Sequence, residues 1–129
     1  MRELGIKEFV EITVDKLNEL KTSKVVADIV LENPRAGSKF PEVVVQSPLK
    51  YIERTKYLIR FSIIVEAWAK KKYDSYDIAD KIDNKLNEYN FLKTSTPIDF
   101  FDEITGTYRY GGSYEVLFNV LTNTFEKIK

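Results

Sequence analysis

The sequence predicts an α+β fold in which two α-helices pack on one face of an antiparallel β-sheet. Two segments are amphipathic with helical spacing, several short segments alternate like strands, and no helical crossover separates consecutive strand segments. The chain has 129 residues, of which 43% are hydrophobic. This is enough for one core, so we expect a single domain over residues 1–129.

The N-terminal part of the chain is predicted to form a helix, a strand, a loop and a second strand. Apolar side chains recur at helical intervals near residues 5–21, at Ile6, Phe9, Val10, Val14, Leu17 and Leu20. The β-branched segment "KVVADIVLE" favours a strand. The segment "NPRAGSKFP" contains two prolines and a glycine, which indicates a loop. The segment "EVVVQ" then predicts a strand that ends at Ser47-Pro48.

The longest predicted strand covers residues 57–68, "YLIRFSIIVEAW". One of its faces is apolar and consists of Tyr57, Ile59, Phe61, Ile63, Val65 and Ala67. The other face is mixed, because Arg60, Ser62 and Glu66 alternate there with apolar side chains. A second face of this kind is often covered by another element or by another subunit.

The second helix is predicted near residues 75–90, after an N-cap at Asp74-Ser75. Its inward stripe consists of Ser75, Ala79, Ile82, Leu86 and Tyr89. Four carboxylates repeat every three residues on the same helix, at Asp74, Asp77, Asp80 and Asp83. They could hold a cation weakly, but Lys81 and Lys85 can pair with them. We therefore interpret them as a solvated helix face.

The segment "YRYGGSY" could be a phosphate-binding glycine loop or the tight turn of a β-hairpin. A phosphate loop opens into a helix, whereas the following residues "SYEVLFNVLTNTF" alternate with a period of two. We therefore predict a hairpin turn at Gly111-Gly112. The tyrosines beside it, Tyr108, Tyr110 and Tyr114, either form cross-strand pairs or lie near an exposed tip that binds a partner.

The composition narrows the possible functions. The chain contains no histidine and no cysteine, which removes the usual proton-transfer side chain, thiolate nucleophiles and the commonest metal ligands. The cluster of Asp99, Asp102 and Glu103 has no histidine beside it, so we interpret it as a turn with solvated charges. We expect no catalytic residue, no metal and no cofactor. The formal net charge of zero argues against binding to a membrane or to a specific nucleic acid.

The organisation of the chain resembles that of the tail terminator, or tail completion, proteins of long-tailed bacteriophages and phage-tail-like particles. The resemblance begins with an N-terminal amphipathic helix and a strand. A basic, proline-bearing loop then leads into "FPEVVVQSP", and the long strand in "RTKYLIRFSIIVEAWA" follows. The most telling segment is the step from "FSIIVEAWA" to "YDSYDIADKIDNKL", in which a strand with an aromatic residue near its end precedes a charged turn and a helix. A final hairpin completes the pattern.

The resemblance implies a structural virion protein rather than an enzyme. It implies a homo-oligomer, a hexameric ring that caps the tail tube, ends its polymerisation and joins the tail to the head. The expected partners are the tail tube protein, the head connector or neck protein and, if the tail is contractile rather than flexible, the sheath. The N-terminus lacks the features of a signal peptide, so we expect synthesis in the bacterial cytoplasm, from a phage or prophage, and a final location in the tail.

Two other functions remain open from the residues alone. One is a small metal-dependent enzyme that works with carboxylates and tyrosines, and the other is a monomeric binding module or a toxin-antitoxin component. For the structural protein, we predict partner binding by the two basic connections that flank the second strand. Their cations are Arg35, Lys39, Lys50, Arg54 and Lys56. Tyr108, Tyr110 and Tyr114 are the next candidates.

Overall fold

A computed structural model describes residues 4–35, 37–52, 57–95 and 98–128. These ranges contain two helices, α1 (Ile6–Thr22) and α2 (Lys72–Glu88). They also contain seven strands: β1 (Asp28–Val30), β2 (Glu42–Ile52), β3 (Leu58–Ala69), β4 (Leu92–Lys93), β5 (Ile98–Asp102), β6 (Thr107–Asn119) and β7 (Thr124–Glu126). The predicted α+β fold class is confirmed. The second helix begins three residues earlier than predicted, since Lys71 is its N-cap residue and Ser75 lies inside it.

The strands form one mixed sheet rather than a purely antiparallel one. The order across it is β1, β2, β3 and β6, and the far side of β6 pairs with β5, β4 and β7 in turn. The long strands are antiparallel, but β1 runs parallel to β2, with Asp28 opposite Glu42. The connection between β1 and β2 is long enough to carry the chain back to the end where β1 began.

Both helices pack on the face of the sheet that the apolar positions of β3 line, as predicted. Ile59, Phe61, Ile63, Val65 and Ala67 are buried there, whereas Tyr57 precedes the strand and is exposed. From α1, the Phe9 ring stacks on Phe61 at 4.4 Å between ring centroids and on Phe91 at 5.8 Å. From α2, Ile78, Ala79, Ile82 and Leu86 complete the core.

The predicted hairpin turn at Gly111-Gly112 is wrong. Both glycines lie inside β6, where Gly111 is opposite Glu66 and Gly112 is opposite Val65. A Cβ atom on Gly111 would lie 2.6 Å from the Cα atom of Glu66 and closer still to the carbonyl oxygen of Val65. Glycine is therefore required here because two backbones approach closely, not because the chain turns. The turn falls at residues 103–106, between β5 and β6.

The second strand does not end at Ser47-Pro48, as predicted, but continues through a β-bulge to Ile52. Ser47 takes a positive φ of 54° at this point. The extra residue reverses which side chains face the core. Val43 and Val45 are buried beneath the helices, whereas Leu49 and Tyr51 lie opposite Ser62 and Arg60 on the other face.

Candidate assembly surface

The sheet face opposite the helices carries a buried ion pair between Glu66 of β3 and Arg109 of β6. The Nε and Nη2 atoms of Arg109 donate to the two carboxylate oxygens of Glu66 at 2.9 and 3.1 Å. The Gln46 side chain donates to the same carboxylate at 2.8 Å. Glu66 is fully buried, so these donors replace the water that its charge would otherwise bind.

The guanidinium of Arg109 also lies between two aromatic rings. It is 4.4 Å from the ring centroid of Trp68 on one side and 4.4 Å from that of Phe100 on the other. Phe100 belongs to β5, directly opposite Arg109 in the register. The stacked guanidinium therefore holds the short strand β5 against the centre of the sheet.

Of the residues that the structure describes, those of β5 and the turn after it form the largest group of neighbouring exposed apolar side chains. The side chains of Phe100, Phe101 and Ile104 are 49%, 45% and 81% exposed. Three carboxylates, those of Asp99, Asp102 and Glu103, lie between and beside them. Large exposed apolar groups that are rimmed by charges are typical of binding surfaces.

Two of these carboxylates have a local structural role. The Asp102 carboxylate accepts a hydrogen bond of 3.0 Å from the backbone N–H of Ile104, which shapes the turn. The Asp99 carboxylate accepts one of 3.2 Å from the Tyr76 hydroxyl of α2. The predicted turn therefore follows Asp102, and Asp99 lies within a strand. Among the described residues, no group of three or more acidic side chains could hold a metal ion.

A shallow groove lies on the open sheet face beyond the ion pair. It is lined by Leu49, Tyr51, Arg60, Ser62, Ser113 and Glu115. The Arg60 guanidinium crosses it toward Glu115, with 3.4 Å between Nη1 and Oε1. Leu49 and Tyr51 are half-exposed here because the bulge in β2 turned them away from the core.

Among the described cations of the predicted basic patch, Lys50 lies apart from Arg35 and Lys39. Arg35 and Lys39 are exposed in the connection between β1 and β2, whereas Lys50 lies near the far end of β2 and is half-buried. Glu42, near Lys39, pairs with Trp68, but Lys50 pairs with Phe61, seven residues away along β3. That separation is roughly 23 Å at the rise of an extended strand. Arg54 and Lys56 lie outside the described residues.

The three tyrosines of the predicted tip lie along β6 on the side of the helices. Tyr114 is buried and its hydroxyl donates to the Asp83 carboxylate of α2. Burial raises the pKa of Tyr114 above its usual range, and the hydrogen bond to Asp83 raises it further. Tyr110 packs edge-on against Tyr76, and Tyr108 packs against Phe101. Their contacts within the chain favour the structural explanation, and a role in partner binding stays a prediction.

The acidic stripe of α2 is engaged in ion pairs and hydrogen bonds at two of its positions. Lys81 contacts Asp77 at 2.6 Å, and Lys93 of β4 contacts Asp83 at 3.4 Å. The stripe therefore contributes to the helix face and to its contact with the sheet.

Two buried polar atoms stand out beside the ion pair. Within the described residues, Glu42 Oε1 and Trp68 Nε1 are buried and have no hydrogen-bond partner. The two residues are opposite each other in β2 and β3. Burial raises the pKa of the Glu42 carboxyl, and the nearby Asp28 carboxylate raises it further.

No protein-family model matches this sequence, and no curated protein is significantly similar to it. Across the described ranges, no helix has the length and apolar character needed to cross a membrane.

Sequence reasoning missed the apolar side chains of β5 and the Glu66–Arg109 pair. The run "IDFFDEI" did carry a signal, because adjacent phenylalanines between carboxylates break the alternation of a strand with one wet face. The ion pair left no local signal, since its two residues are 43 positions apart.

Proposed function

We propose that the protein is a structural subunit that assembles into a ring through the edges of its sheet. The observation that carries this proposal is the set of exposed apolar side chains at one edge of the sheet, with Phe100 and Phe101 on the two faces of β5 and Ile104 in the turn after it. Such a surface favours a protein–protein contact over solvation. The stacking of the partly buried Arg109 between Trp68 and Phe100 supports the same proposal, because it keeps this strand in a fixed position against the sheet.

Within that class, we propose a tail terminator of a long-tailed phage or a phage-tail-like particle. The order of helix, strand, basic loop, second strand, long strand and helix resembles that family, and the structure has α1, β1, β2, β3 and α2 in that order. The ring would cap the tail tube, end its polymerisation and present a surface to the head connector. Arg35 and Lys39 are exposed and are candidates for contact with an acidic tube surface.

The test is the growth of tail tubes from purified tube protein of the same particle, with and without this chain. We expect tubes of limited length with a ring at one end in its presence, and longer tubes without rings in its absence. Electron microscopy measures both the length and the ring. Tubes of equal length in both reactions, with no protein bound at either end, would contradict the proposed function.

A control variant shows whether a loss of capping is specific. Leu121 lies in the turn before β7 and is 64% exposed, away from β5 in the sheet. Leu121→Ser should cap tubes as the unmodified chain does. If it also failed, the assay would be reporting general instability rather than a capping surface.

A further inference from the structure

Among the described residues, β1, β4, β5 and β7 each pair with one strand only, and β1 and β5 lie at opposite sides of the sheet. On one side, β1 pairs only with β2, and on the other side β5 pairs only with β6. Each of these strands therefore has a second edge that another strand can join. Leu31, directly after β1, is 55% exposed, and Phe100 and Phe101 of β5 are about half-exposed.

The chain segments that contain β5 and β1 carry opposite net charge. Residues 98–106, called here the β5 edge, contain three carboxylates and no cation. Residues 21–40, called here the β1 flank, contain four cations and two carboxylates. Its cations are Lys21, Lys24, Arg35 and Lys39. The Lys21 side chain also neutralises Asp28 of β1, at 2.9 Å.

Pairing of the β5 edge with the β5 edge of a second copy is unfavourable. An antiparallel pair that places Phe100 opposite Phe101 also places Asp99 opposite Asp102, twice in the symmetric contact. Like charges directly opposite each other destabilise a strand pair. A cationic edge avoids this repulsion and retains the contact between apolar side chains.

We propose that the β5 edge of one subunit binds the β1 flank of the next copy of this chain. This inference rests on the proposed ring, and it specifies which two surfaces form its repeating contact. One surface of each subunit meets a different surface of its neighbour, which is the kind of contact that closes into a ring when the rotation between subunits permits. The carboxylates of the β5 edge lie against Arg35 and Lys39 of the neighbour.

The test uses two charge-reversal variants, Asp99→Lys/Glu103→Lys on the β5 edge and Arg35→Glu/Lys39→Glu on the β1 flank. All four residues are exposed, and the Tyr76–Asp99 hydrogen bond that one variant loses is exposed as well, so both variants should fold. Each variant places like charges across the contact. We expect the concentration for half-assembly to rise by about tenfold or more, measured by sedimentation velocity and native mass spectrometry.

Mixing the two variants distinguishes this contact from every symmetric one. In the mixture the reversed β5 edge meets the reversed β1 flank, and the unmodified surfaces meet each other. Assembly should return, with the two variants alternating in equal numbers. Each of the control variants, Glu11→Lys/Asp15→Lys on exposed positions of α1 and Lys7→Glu/Lys81→Glu on the two helices, should assemble at the concentration of the unmodified chain.

The outcomes separate the inference from the function on which it rests. If the unmodified chain forms rings and either reversal variant alone forms them equally well, the proposed contact is wrong and the ring remains. If Asp99→Lys alone strengthens a dimer, the β5 edges pair with each other, because the change places a cation opposite Asp102. If the unmodified chain stays monomeric, both in solution and on purified tail tubes, the inference and the proposed ring are contradicted together.

Discussion

Arg109 binds Glu66 through two parallel hydrogen bonds of 2.9 and 3.1 Å, across the two central strands of the sheet. The pair joins β3 to β6, and the stacking of Arg109 between Trp68 and Phe100 extends the connection to β5. One side chain thus links the buried centre of the sheet to the strand that carries the proposed assembly surface.

Arg109→Ala should destabilise the fold strongly, because it leaves the buried Glu66 charge without its principal partner. Loss of one member of a buried pair costs about 3–5 kcal/mol of unfolding free energy. Urea denaturation measures the change. The matched control is Lys81→Ala, which removes the exposed pair with Asp77 and should cost no more than about 0.5 kcal/mol. Equal losses in the two variants would show that the buried pair has no special contribution.

Gly111→Ala should also destabilise the sheet, since its Cβ atom would overlap the backbone of β3. The strands must separate locally, and we expect a loss of about 3 kcal/mol or more, by comparison with overpacked cores. Gly112→Ala is the control, because its Cβ atom would meet the flexible Lys93 side chain at 3.1 Å instead of backbone. A thermal or urea melt in which both variants behave alike would argue against the close-approach explanation.

The sequence was sufficient to predict the fold class, both helices and the two faces of β3. These features depend on periodic patterns that extend over a dozen or more residues, so the signal is local. The role of Gly111 could not be predicted in the same way. A pair of glycines between alternating segments is typical of a turn, and only the register with Val65 and Glu66 shows that the backbone passes straight through.

The candidate site was predicted less completely than the fold. The exposed cations Arg35 and Lys39 were identified, but their separation from Lys50 depends on the length of β2 beyond its bulge. The parallel pairing of β1 was missed for a similar reason, because it depends on where a loop returns the chain. The partners of β5 arise from contacts between distant segments, and no local pattern specifies them.

Tyr114 should make the fold less stable in alkaline solution. Its folded-state pKa is raised by burial and by the hydrogen bond to Asp83. A group whose pKa is higher in the folded than in the unfolded state stabilises the protein fully at pH values below its unfolded-state pKa, here about 10. This contribution is lost as the pH rises above that value. The free energy of unfolding should therefore fall between pH 9 and pH 11, by urea denaturation. Tyr114→Phe should remove most of this fall, and an unchanged slope in that variant would assign the effect to another group.

Glu42 should also make the fold less stable as the pH rises, but over a lower pH range than Tyr114. Its folded-state pKa is raised, so its contribution is fully present below the unfolded value of about 4.3 and is lost as the pH rises through the folded value. The ionised, buried carboxylate therefore destabilises the protein at pH 7. Glu42→Gln should raise the unfolding free energy at pH 7, and the gain should shrink toward pH 4. A gain that is independent of pH would point to packing instead.

Ile104 tests the apolar part of the proposed assembly surface without changing its charge. The side chain is 81% exposed in the turn that follows β5, so Ile104→Ser should leave the unfolding free energy within about 0.5 kcal/mol of the original. If the turn is buried between subunits, the same change should raise the half-assembly concentration by about tenfold, since burial of such a side chain contributes roughly 1.5–3 kcal/mol.

Because salt screens charges but not apolar contacts, this loss should persist at 1 M salt, whereas the effect of the charge-reversal variants should diminish there. Sedimentation velocity at both salt concentrations, with Leu121→Ser as the control, measures the two contributions separately. Rings of Ile104→Ser that form as readily as those of the control would remove the side chain of Ile104 from the interface and leave those of β5 itself, Phe100 and Phe101 included, as candidates.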